Sequence, residues 1–198
     1  MRILCNLGLV QSRADPCLFL RFDDAKEVVF LLVIFVDDLV MIGKKREIER
    51  FKCDIQKHFA IVDLGPLKKH LSVWYKRKSD TGGEYFELQM KDFAQGLIRD
   101  YEELTGQKAR PASTPGLPGT SLVKQEEGSQ PVMRDEYRSL IGKAMWFLRK
   151  IEPECSNAGR ELSAHMECPG EEHWKALSRL IGYIAADPGK TLKLRTHK

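Results

Sequence analysis

The sequence predicts an α+β fold, with antiparallel strands near the start of the chain and helices near its end. Two observations predict this. Short apolar runs separated by polar turns occupy the first third, as in β-hairpins. Beyond residue 134, apolar residues recur every three or four positions, as on one face of a helix. The 198 residues suffice for one full-sized domain or two small ones, so a core can form without disulfides.

Composition excludes several classes of protein. Hydrophobic residues make up 42% and charged residues 30% of the chain, which is typical of a folded protein rather than a disordered one. The longest apolar stretch covers only residues 28–36, whereas a bilayer span needs roughly 20 residues, so we expect no membrane span. A net charge of +4 is too small to indicate a nucleic-acid binder by itself. Five scattered cysteines without a C-x-x-C pair predict reduced thiols in an intracellular protein.

The first elements are predicted to be two strands around an acidic turn. Residues 28–36 are rich in β-branched and aromatic side chains, which predicts a fully buried strand. A second apolar run follows at residues 39–42 and ends at Gly43. The pair Asp37-Asp38 separates the runs, so we expect a β-hairpin with both aspartates at its bend.

An amphipathic helix is predicted next. Four large apolar residues are spaced at i, i+3, i+7 and i+11, which places them on one face of a helix: Ile48, Phe51, Ile55 and Phe59. Gly65-Pro66 then breaks the pattern.

A second hairpin and a helix complete the region that we predict over residues 1–104. Residues 71–77 and 84–89 are predicted strands on either side of a turn at residues 79–83. Apolar residues at helical spacing then predict a helix over residues 90–104.

The remainder is predicted to be a connection followed by a helical lobe. Residues 105–134 are rich in proline and glycine, which predicts an exposed, mobile connection without helix or central strand. Residues 135–198 are predicted to be helical, with a strong apolar stripe from Tyr137 onward and a weaker helix near residues 156–167. A third helix is expected from Glu171-Glu172 to a stop at Asp187-Pro188-Gly189.

The aspartate pair is the sharpest chemical feature. Two adjacent carboxylates among buried apolar strands are costly, because the like charges repel and both lose solvent. A bound divalent cation can offset that cost, and Mg²⁺ favours one or two carboxylates together with waters and substrate phosphates. An Asp-Asp pair is by itself more often an exposed turn, so position decides between the two interpretations. Here the pair directly follows nine apolar residues.

The motif Phe35-Val36-Asp37-Asp38 resembles the Tyr/Phe-x-Asp-Asp box of reverse transcriptases. Further segments resemble landmarks of the copia-type retrotransposon branch, in the same order along the chain: Asp15-Pro16-Cys17-Leu18-Phe19, Asp63-Leu64-Gly65-Pro66-Leu67-Lys68, Ser113-Thr114-Pro115, Tyr137-Arg138-Ser139-Leu140-Ile141-Gly142 and Glu172-His173-Trp174-Lys175-Ala176-Leu177. The chain is thereby identified as resembling the C-terminal part of that polymerase region, an RNA-directed DNA polymerase. The resemblance implies a partial palm containing the catalytic hairpin, followed by a helical lobe like the thumb and connection.

The resemblance also implies roles for residues of both hairpins. Asp37 would bind the catalytic Mg²⁺ or Mn²⁺ ions, with Asp38 as its less essential neighbour. Phe35 and Val36 would lie beside the 3′ end of the primer. Leu71-Ser72 would belong to the primer-grip hairpin, where the family normally has glycine in place of Ser72, so close approach of the backbone there is in question.

The helix from about Asp135 resembles the thumb helix that follows the minor groove of the primer duplex. At 100° per residue, Arg138, Gly142 and Trp146 lie on one strip away from the centre of the apolar stripe. This arrangement suits close approach to nucleic acid and stacking of Trp146 on sugars. The alternative is that Trp146 packs on another helix of the same lobe.

Parts of the intact enzyme are not found in this sequence. Reverse transcriptases need a third palm carboxylate well upstream of the Asp-Asp box, together with fingers, and only 36 residues precede Asp37. The ribonuclease H domain that follows in the family is also missing. Two metal-binding carboxylates out of three should not hold both ions productively, so we expect no polymerase activity from this chain alone.

Partners and location follow from the resemblance only. The intact enzyme would take an RNA or DNA template-primer and deoxynucleotides. Its polyprotein would also carry a protease, an integrase and ribonuclease H, in cytoplasmic particles with access to the nucleus. Two alternatives stay open: a decayed or repurposed fragment that binds nucleic acid without catalysis, and a gene fragment with no role of its own. A zinc site is not expected from Cys155, His165, Cys168 and His173, because structural sites have more tightly paired spacings.

Overall fold

A computed structural model of the protein describes residues 2–117, 119, 121–126 and 130–195. The described residues form six α-helices and two four-stranded antiparallel sheets, which confirms the predicted α+β class. The chain divides into two compact units, residues 1–67 and residues 68–198. None of the helices in the described part is long and apolar enough to span a membrane.

The first unit is a sheet with helices on one face. Its elements are α1 (Arg2–Asn6), β1 (Val10–Gln11), β2 (Leu18–Phe22), β3 (Val28–Phe35), β4 (Asp38–Gly43) and α2 (Lys45–Ile55), and the strands lie in the order β1-β2-β3-β4. The predicted hairpin is therefore confirmed, with strands close to the predicted limits.

The core of this unit lies between the sheet and α2. Phe30 and Leu32 of β3 are fully buried there, and the Phe30 ring lies 5.2 Å from that of Phe51 on α2. The prediction that β3 is buried throughout is wrong, because alternate residues of a strand point to opposite faces and helices cover only one of them. On the uncovered face Leu31 and Val33 are only half-buried, and Ile42 of β4, which pairs with Leu31, is 54% exposed.

Helix α2 follows the predicted apolar spacing but is shorter than that spacing suggested. It ends at Ile55, and Phe51 and Ile55 are buried against the sheet. Phe59 was predicted to continue the buried stripe, but it lies beyond the helix and is 51% exposed. The backbone N–H groups of His58 and Phe59 both donate to the Ile55 carbonyl. These bonds close a final turn that follows α2 without extending it.

The second unit combines a sheet with four helices. Its elements are β5 (Lys69–His70), β6 (Val73–Asp80), β7 (Gly83–Gln89), α3 (Lys91–Thr105), α4 (Arg134–Ile151), α5 (Ser156–Ser163), α6 (Glu171–Ala186) and β8 (Thr191–Arg195), and the strands lie in the order β5-β6-β7-β8. Strand β6 begins at Val73, so the prediction of a strand from residue 71 is wrong for Leu71 and Ser72, which form a turn. At their other ends β6 and β7 reach further than predicted, because only Thr81-Gly82 remains as the turn.

Strand β8 corrects the prediction of an entirely helical end. Thr191–Arg195 pairs antiparallel with β7, so that Leu192 lies opposite Leu88. The segment is only five residues long, and its partner strand lies far upstream. The sequence around residues 191–195 gives little indication of a strand, because strand formation there depends on a distant partner.

The helices of the second unit share one apolar core. Tyr137 of α4 is fully buried, its hydroxyl donates to the Leu162 carbonyl at 2.9 Å, and its ring meets Trp174 of α6 edge-on. Burial raises the pKa of the Tyr137 hydroxyl, which keeps it a neutral donor. Ile141 and Leu177 are also fully buried in this core.

The predicted connection lies against the helical lobe. Between the end of α3 and the start of α4 its described part has neither helix nor strand and is largely exposed, as predicted, although a few of its residues are half-buried. Backbone bonds hold it, because Ala112 donates to the Gly182 carbonyl at 3.1 Å and Leu122 donates to Glu161 at 3.0 Å. Buried polar backbone needs such partners. The assignment of residues 1–104, 105–134 and 135–198 as palm, connection and thumb stays a prediction.

Candidate catalytic hairpin and nucleic-acid interface

Of the two aspartates, Asp37 lies in the turn of the β3–β4 hairpin and Asp38 is the first residue of β4, so the prediction that both lie at the bend is correct for Asp37 only. Phe35 pairs with Asp38 across the ladder, which leaves Val36 and Asp37 as a two-residue turn. Val36 has a φ of 54°, whereas Asp37 does not have a positive φ, and these signs are those of a type II′ turn. Such turns match the twist of antiparallel strands, so the hairpin forms although the sequence lacks the preferred glycine.

Solvent reaches the whole tip of the hairpin. Phe35, Val36, Asp37 and Asp38 are all exposed, and Val36 is 81% exposed. Both carboxylates are therefore exposed to solvent. The prediction that they pay a desolvation cost is wrong, because the sheet does not enclose its own tip. The exposed Asp37 carboxylate is accessible to a cation.

Val36 holds a conformation that its side chain disfavours. A β-branched residue at positive φ is unusual, and the left-handed region costs about 1–2 kcal/mol for a residue with a Cβ. The ladder pairing of Phe35 with Asp38 closes the turn around Val36. Strain of this kind clusters at functional sites, which supports a functional interpretation of this tip.

A second Asp-Asp pair in the same unit provides an internal comparison. Asp23-Asp24 lies in the turn between β2 and β3, where the Asp23 carboxylate accepts backbone N–H bonds from Ala25 at 3.1 Å and Glu27 at 2.9 Å. The Asp37 carboxylate makes no ion pair or hydrogen bond with the described residues. Asp23 therefore stabilises its own turn, while the Asp37 side chain is not engaged in stabilising its own.

The carboxylates at the tip fit a cation whose remaining ligands are phosphate oxygens of a substrate. Two carboxylates suit Mg²⁺, which is usually bound through one or two carboxylates plus substrate oxygens. Within the described ranges, no third His, Cys, Asp or Glu lies close enough to the two aspartates to form a metal-binding cluster with them. A cluster of three potential ligands occurs instead in the second unit, at Glu152, Glu154 and Cys155. There, Lys190 lies 3.5 Å from Glu152 and 2.8 Å from Glu154 as the counter-charge.

The rejected zinc quartet does not assemble as a metal-binding group in the described part of the chain. His173 is buried with both ring nitrogens in use, because Nδ1 accepts the Gly170 N–H at 2.8 Å and Nε2 lies 3.0 Å from the Val123 carbonyl. The His165 ring stacks on His173 at 4.0 Å. These histidines therefore hold the start of α6 and the connection in place.

The predicted primer-grip residues form a second tight turn. His70 pairs with Val73, so Leu71 and Ser72 are the two central residues, and both have positive φ, 48° and 68°. Positive φ at both positions defines a type I′ turn, in which glycine is favoured. The backbone conformation at Ser72 thus favours glycine, the residue that the family normally has there, and serine adopts it with strain.

The predicted strip on α4 is present. Arg138 and Gly142 are exposed, and Trp146 is half-buried at the edge of the apolar core, with Lys150 Nζ 4.8 Å from its ring centre. Trp146 therefore combines packing within its own lobe with a solvent-facing edge. Arg138 pairs with Glu167 at 3.3 Å, a solvent-exposed contact that a phosphate can replace.

Comparison with known proteins identifies the family. Residues 1–117, which include both hairpin turns, match the sequence model of "Reverse transcriptase (RNA-dependent DNA polymerase)". The chain belongs to the reverse transcriptase family. The predicted resemblance is confirmed by this match, and reverse transcriptases as a family use divalent metal ions.

Curated relatives are transposon polyproteins. The chain is 29% identical to the "Retrovirus-related Pol polyprotein from transposon TNT 1-94" of Nicotiana tabacum over 92% of this chain and 14% of that protein. It is 29% identical to the transposon RE1 polyprotein of Arabidopsis thaliana over 97% of this chain and 12% of that protein. The RE2 polyprotein of the same plant is 26% identical over 98% and 13%. The chain thus spans about one eighth of the length of these polyproteins, and no solved structure matches it.

Proposed function

We propose that this chain supplies the catalytic hairpin and the thumb-like helix of a copia-type reverse transcriptase, and that it lacks polymerase activity alone. The observation that carries the proposal is the exposed Asp37 carboxylate in a two-residue turn of an apolar hairpin, inside the segment that matches the family. The proposal assigns the first sheet to the palm.

The proposed reaction is nucleotidyl transfer in the intact enzyme. The 3′-hydroxyl of the primer gives its proton to solvent water, and its oxygen attacks the α-phosphate of an incoming deoxynucleotide. A new P–O bond forms while the bond between the α- and β-phosphates breaks, and pyrophosphate leaves. Mg²⁺ or Mn²⁺ bound at the tip would lower the charge on the attacking and leaving oxygens. Asp37 serves as the principal protein ligand and Asp38 as its neighbour, so the hairpin fixes where the reacting phosphate is held.

Residues around the two turns would position the primer. The exposed Phe35 ring and the Val36 backbone offer a packing surface for its last nucleotide. The tight Leu71-Ser72 turn exposes the small Ser72 at its tip, which would let its backbone approach the sugar-phosphate chain. On α4, Arg138 would contact a phosphate, Gly142 would allow close approach, and Trp146 would pack on a sugar.

Inactivity of the separate chain follows from the ligand count. Two carboxylates leave a pair of metal ions under-coordinated, and the described residues bring no third one to the tip. The Pol polyprotein names of the relatives support a longer protein as the source of the remaining ligand. The same context supports protease, integrase and ribonuclease H as neighbours and a template-primer as substrate.

Paramagnetic broadening by Mn²⁺ tests the metal assignment. Titrating Mn²⁺ with a deoxynucleotide into the ¹⁵N-labelled chain should broaden the amide signals of Phe35 to Leu39 first. The double variant Asp37→Asn, Asp38→Asn should lose this effect. The matched control, Asp23→Asn with Asp24→Asn at the other hairpin turn, should keep it. Equal loss in both variants, or loss only in the control, contradicts the assignment.

Primer extension tests the inactivity of the chain. An RNA template with a DNA primer and Mg²⁺ or Mn²⁺ should show no incorporation above background. Incorporation that Asp37→Asn abolishes would show that the chain holds a complete site.

The strip on α4 also favours a second candidate, binding of nucleic acid without chemistry. An exposed arginine, an exposed glycine and a half-buried tryptophan do not depend on a third carboxylate. Duplex binding in EDTA that persists after Asp37→Ala and Asp38→Ala, but weakens after Trp146→Ala, supports this function.

A further inference from the structure

The second unit contains a cationic cleft that the hairpin chemistry does not use. Its walls are the end of α3, residues 107–113 of the connection, and one side of α6, and its volume is about 580 Å³. Four of the lining residues are cations and none is a carboxylate: Lys108, Arg110, Lys175 and Arg179. A cleft of this size suits a small ligand or one unit of a polymer.

Two of the four cations lack a counter-charge. Lys108 pairs with Glu102 at 2.7 Å and Lys175 with Glu172 at 2.6 Å. Arg110 and Arg179 have no carboxylate partner among the described residues. The cleft therefore carries an excess of about two positive charges, which attracts an anion.

Arg179 is the less satisfied of the two arginines. One Nη atom donates to the Thr114 hydroxyl at 2.7 Å, while its Nε is buried and has no hydrogen-bond partner in the described part of the chain. A guanidinium has five N–H donors, and a partly buried one with so few acceptors is costly. Phosphate oxygens supply several acceptors in the geometry that arginine fits.

Hydrogen bonds fix the wall of the cleft that lies opposite α6. Ala112 donates to the Gly182 carbonyl at 3.1 Å, and Glu102 accepts the Ala109 N–H at 3.0 Å. A Cβ on Gly182 would lie 2.1 Å from the Arg110 carbonyl oxygen, so only glycine allows this contact. A preformed cleft binds an anion without first ordering its own walls.

We infer that this cleft binds a phosphate group of a nucleotide, through Arg110 and Arg179. The phosphate belongs either to the backbone of a nucleic acid or to a free nucleotide. The phosphate chemistry is independent of the hairpin, whereas a nucleic-acid occupant rests on the proposed function. A bound backbone would be anchored at a second place on the chain, without metal.

Salt dependence of binding in EDTA tests this inference. The probe in one arm is a fluorescent RNA–DNA duplex and in the other dTTP, each titrated with the full chain. Arg110→Gln with Arg179→Gln should weaken binding by roughly tenfold per arginine at 0.1 M salt, and should reduce the slope of log K against log salt by about two in the duplex arm. The matched control, Arg13→Gln with Lys124→Gln, makes the same change in net charge at exposed positions and should do neither.

The two arms identify the source of the phosphate. An effect on the duplex identifies the backbone, and an effect on dTTP alone identifies a free nucleotide. Equal behaviour of the cleft variant and the control in both arms overturns the inference. Arg110→Gln alone, at an exposed position, keeps the test valid should Arg179→Gln unfold the lobe. The hairpin function is tested by the Mn²⁺ titration, so its failure and the failure of this metal-free binding are read separately.

Discussion

The Arg21 guanidinium lies 3.0 Å from the Glu47 carboxylate and ties β2 to the first turn of α2. It also donates to the Leu7 carbonyl at 2.8 Å and lies over the Phe30 ring. Arg21 is buried on the covered face of the sheet that carries the β3–β4 hairpin. A charge in that position is tolerated because it has several partners.

Arg21→Leu should therefore destabilise the first unit by about 3 kcal/mol, because it leaves Glu47 largely buried without its counter-charge. Urea unfolding measures the change. Arg77→Leu is the control, since Arg77 and Glu84 form a solvent-exposed pair and should contribute less than about 1 kcal/mol. Losses of equal size would show that the Arg21 pair has no special role.

Ser72→Gly should stabilise the second unit by roughly 0.5–1 kcal/mol. Glycine removes the left-handed strain of about 1–2 kcal/mol, although it also increases the entropy of the unfolded chain. Ser79→Gly, near the end of β6 where Ser79 pairs with Glu84, should have the opposite sign, because no positive φ is relieved there. Thermal or urea unfolding of both variants checks the pair, and a loss of stability at Ser72 contradicts the assigned turn.

The Cys155 thiol should resist modification in the folded protein. Burial, together with the neighbouring Glu152 carboxylate, raises its pKa to about 11, so little thiolate exists at pH 8. A disulfide-forming reagent should label the exposed Cys5, Cys17 and Cys53 quickly and Cys155 only on unfolding. Cys155→Ala should remove the slow phase alone, and fast labelling of Cys155 would contradict the buried site.

Acid should weaken the attachment of β8. Arg195 and the Gly82 N–H lower the pKa of Asp80 to about 2 in the folded chain, below the ordinary value near 3.8. A carboxyl with a depressed pKa contributes stability above its unfolded value and loses that contribution as pH falls toward the folded one. The difference in unfolding free energy between the wild type and Asp80→Asn should thus be constant above about pH 5 and shrink between pH 4 and 2. A difference independent of pH contradicts the ion pair.

Local patterns were sufficient for several elements. Runs of β-branched residues predicted the β3–β4 hairpin, and helical spacing predicted α2, α3, α4 and α6, because each signal lies within one segment. The family was likewise recognisable from short motifs around Asp37. The burial of β3 was overestimated, because its apolar residues are the same whether or not a helix covers their face.

The β3–β4 hairpin with its acidic residues, the helices α2, α3, α4 and α6, and membership of the reverse transcriptase family were determined by the sequence alone, since neighbouring residues carry them. Only the tertiary structure decided that β8 joins β7, that Asp23 is used by its own turn while the Asp37 carboxylate is not, and that Arg110 meets Arg179 in one cleft. These relationships join positions far apart in the chain. They depend on packing, on backbone pairing and on which charges have partners in three dimensions. A local pattern of residues carries no information about any of these.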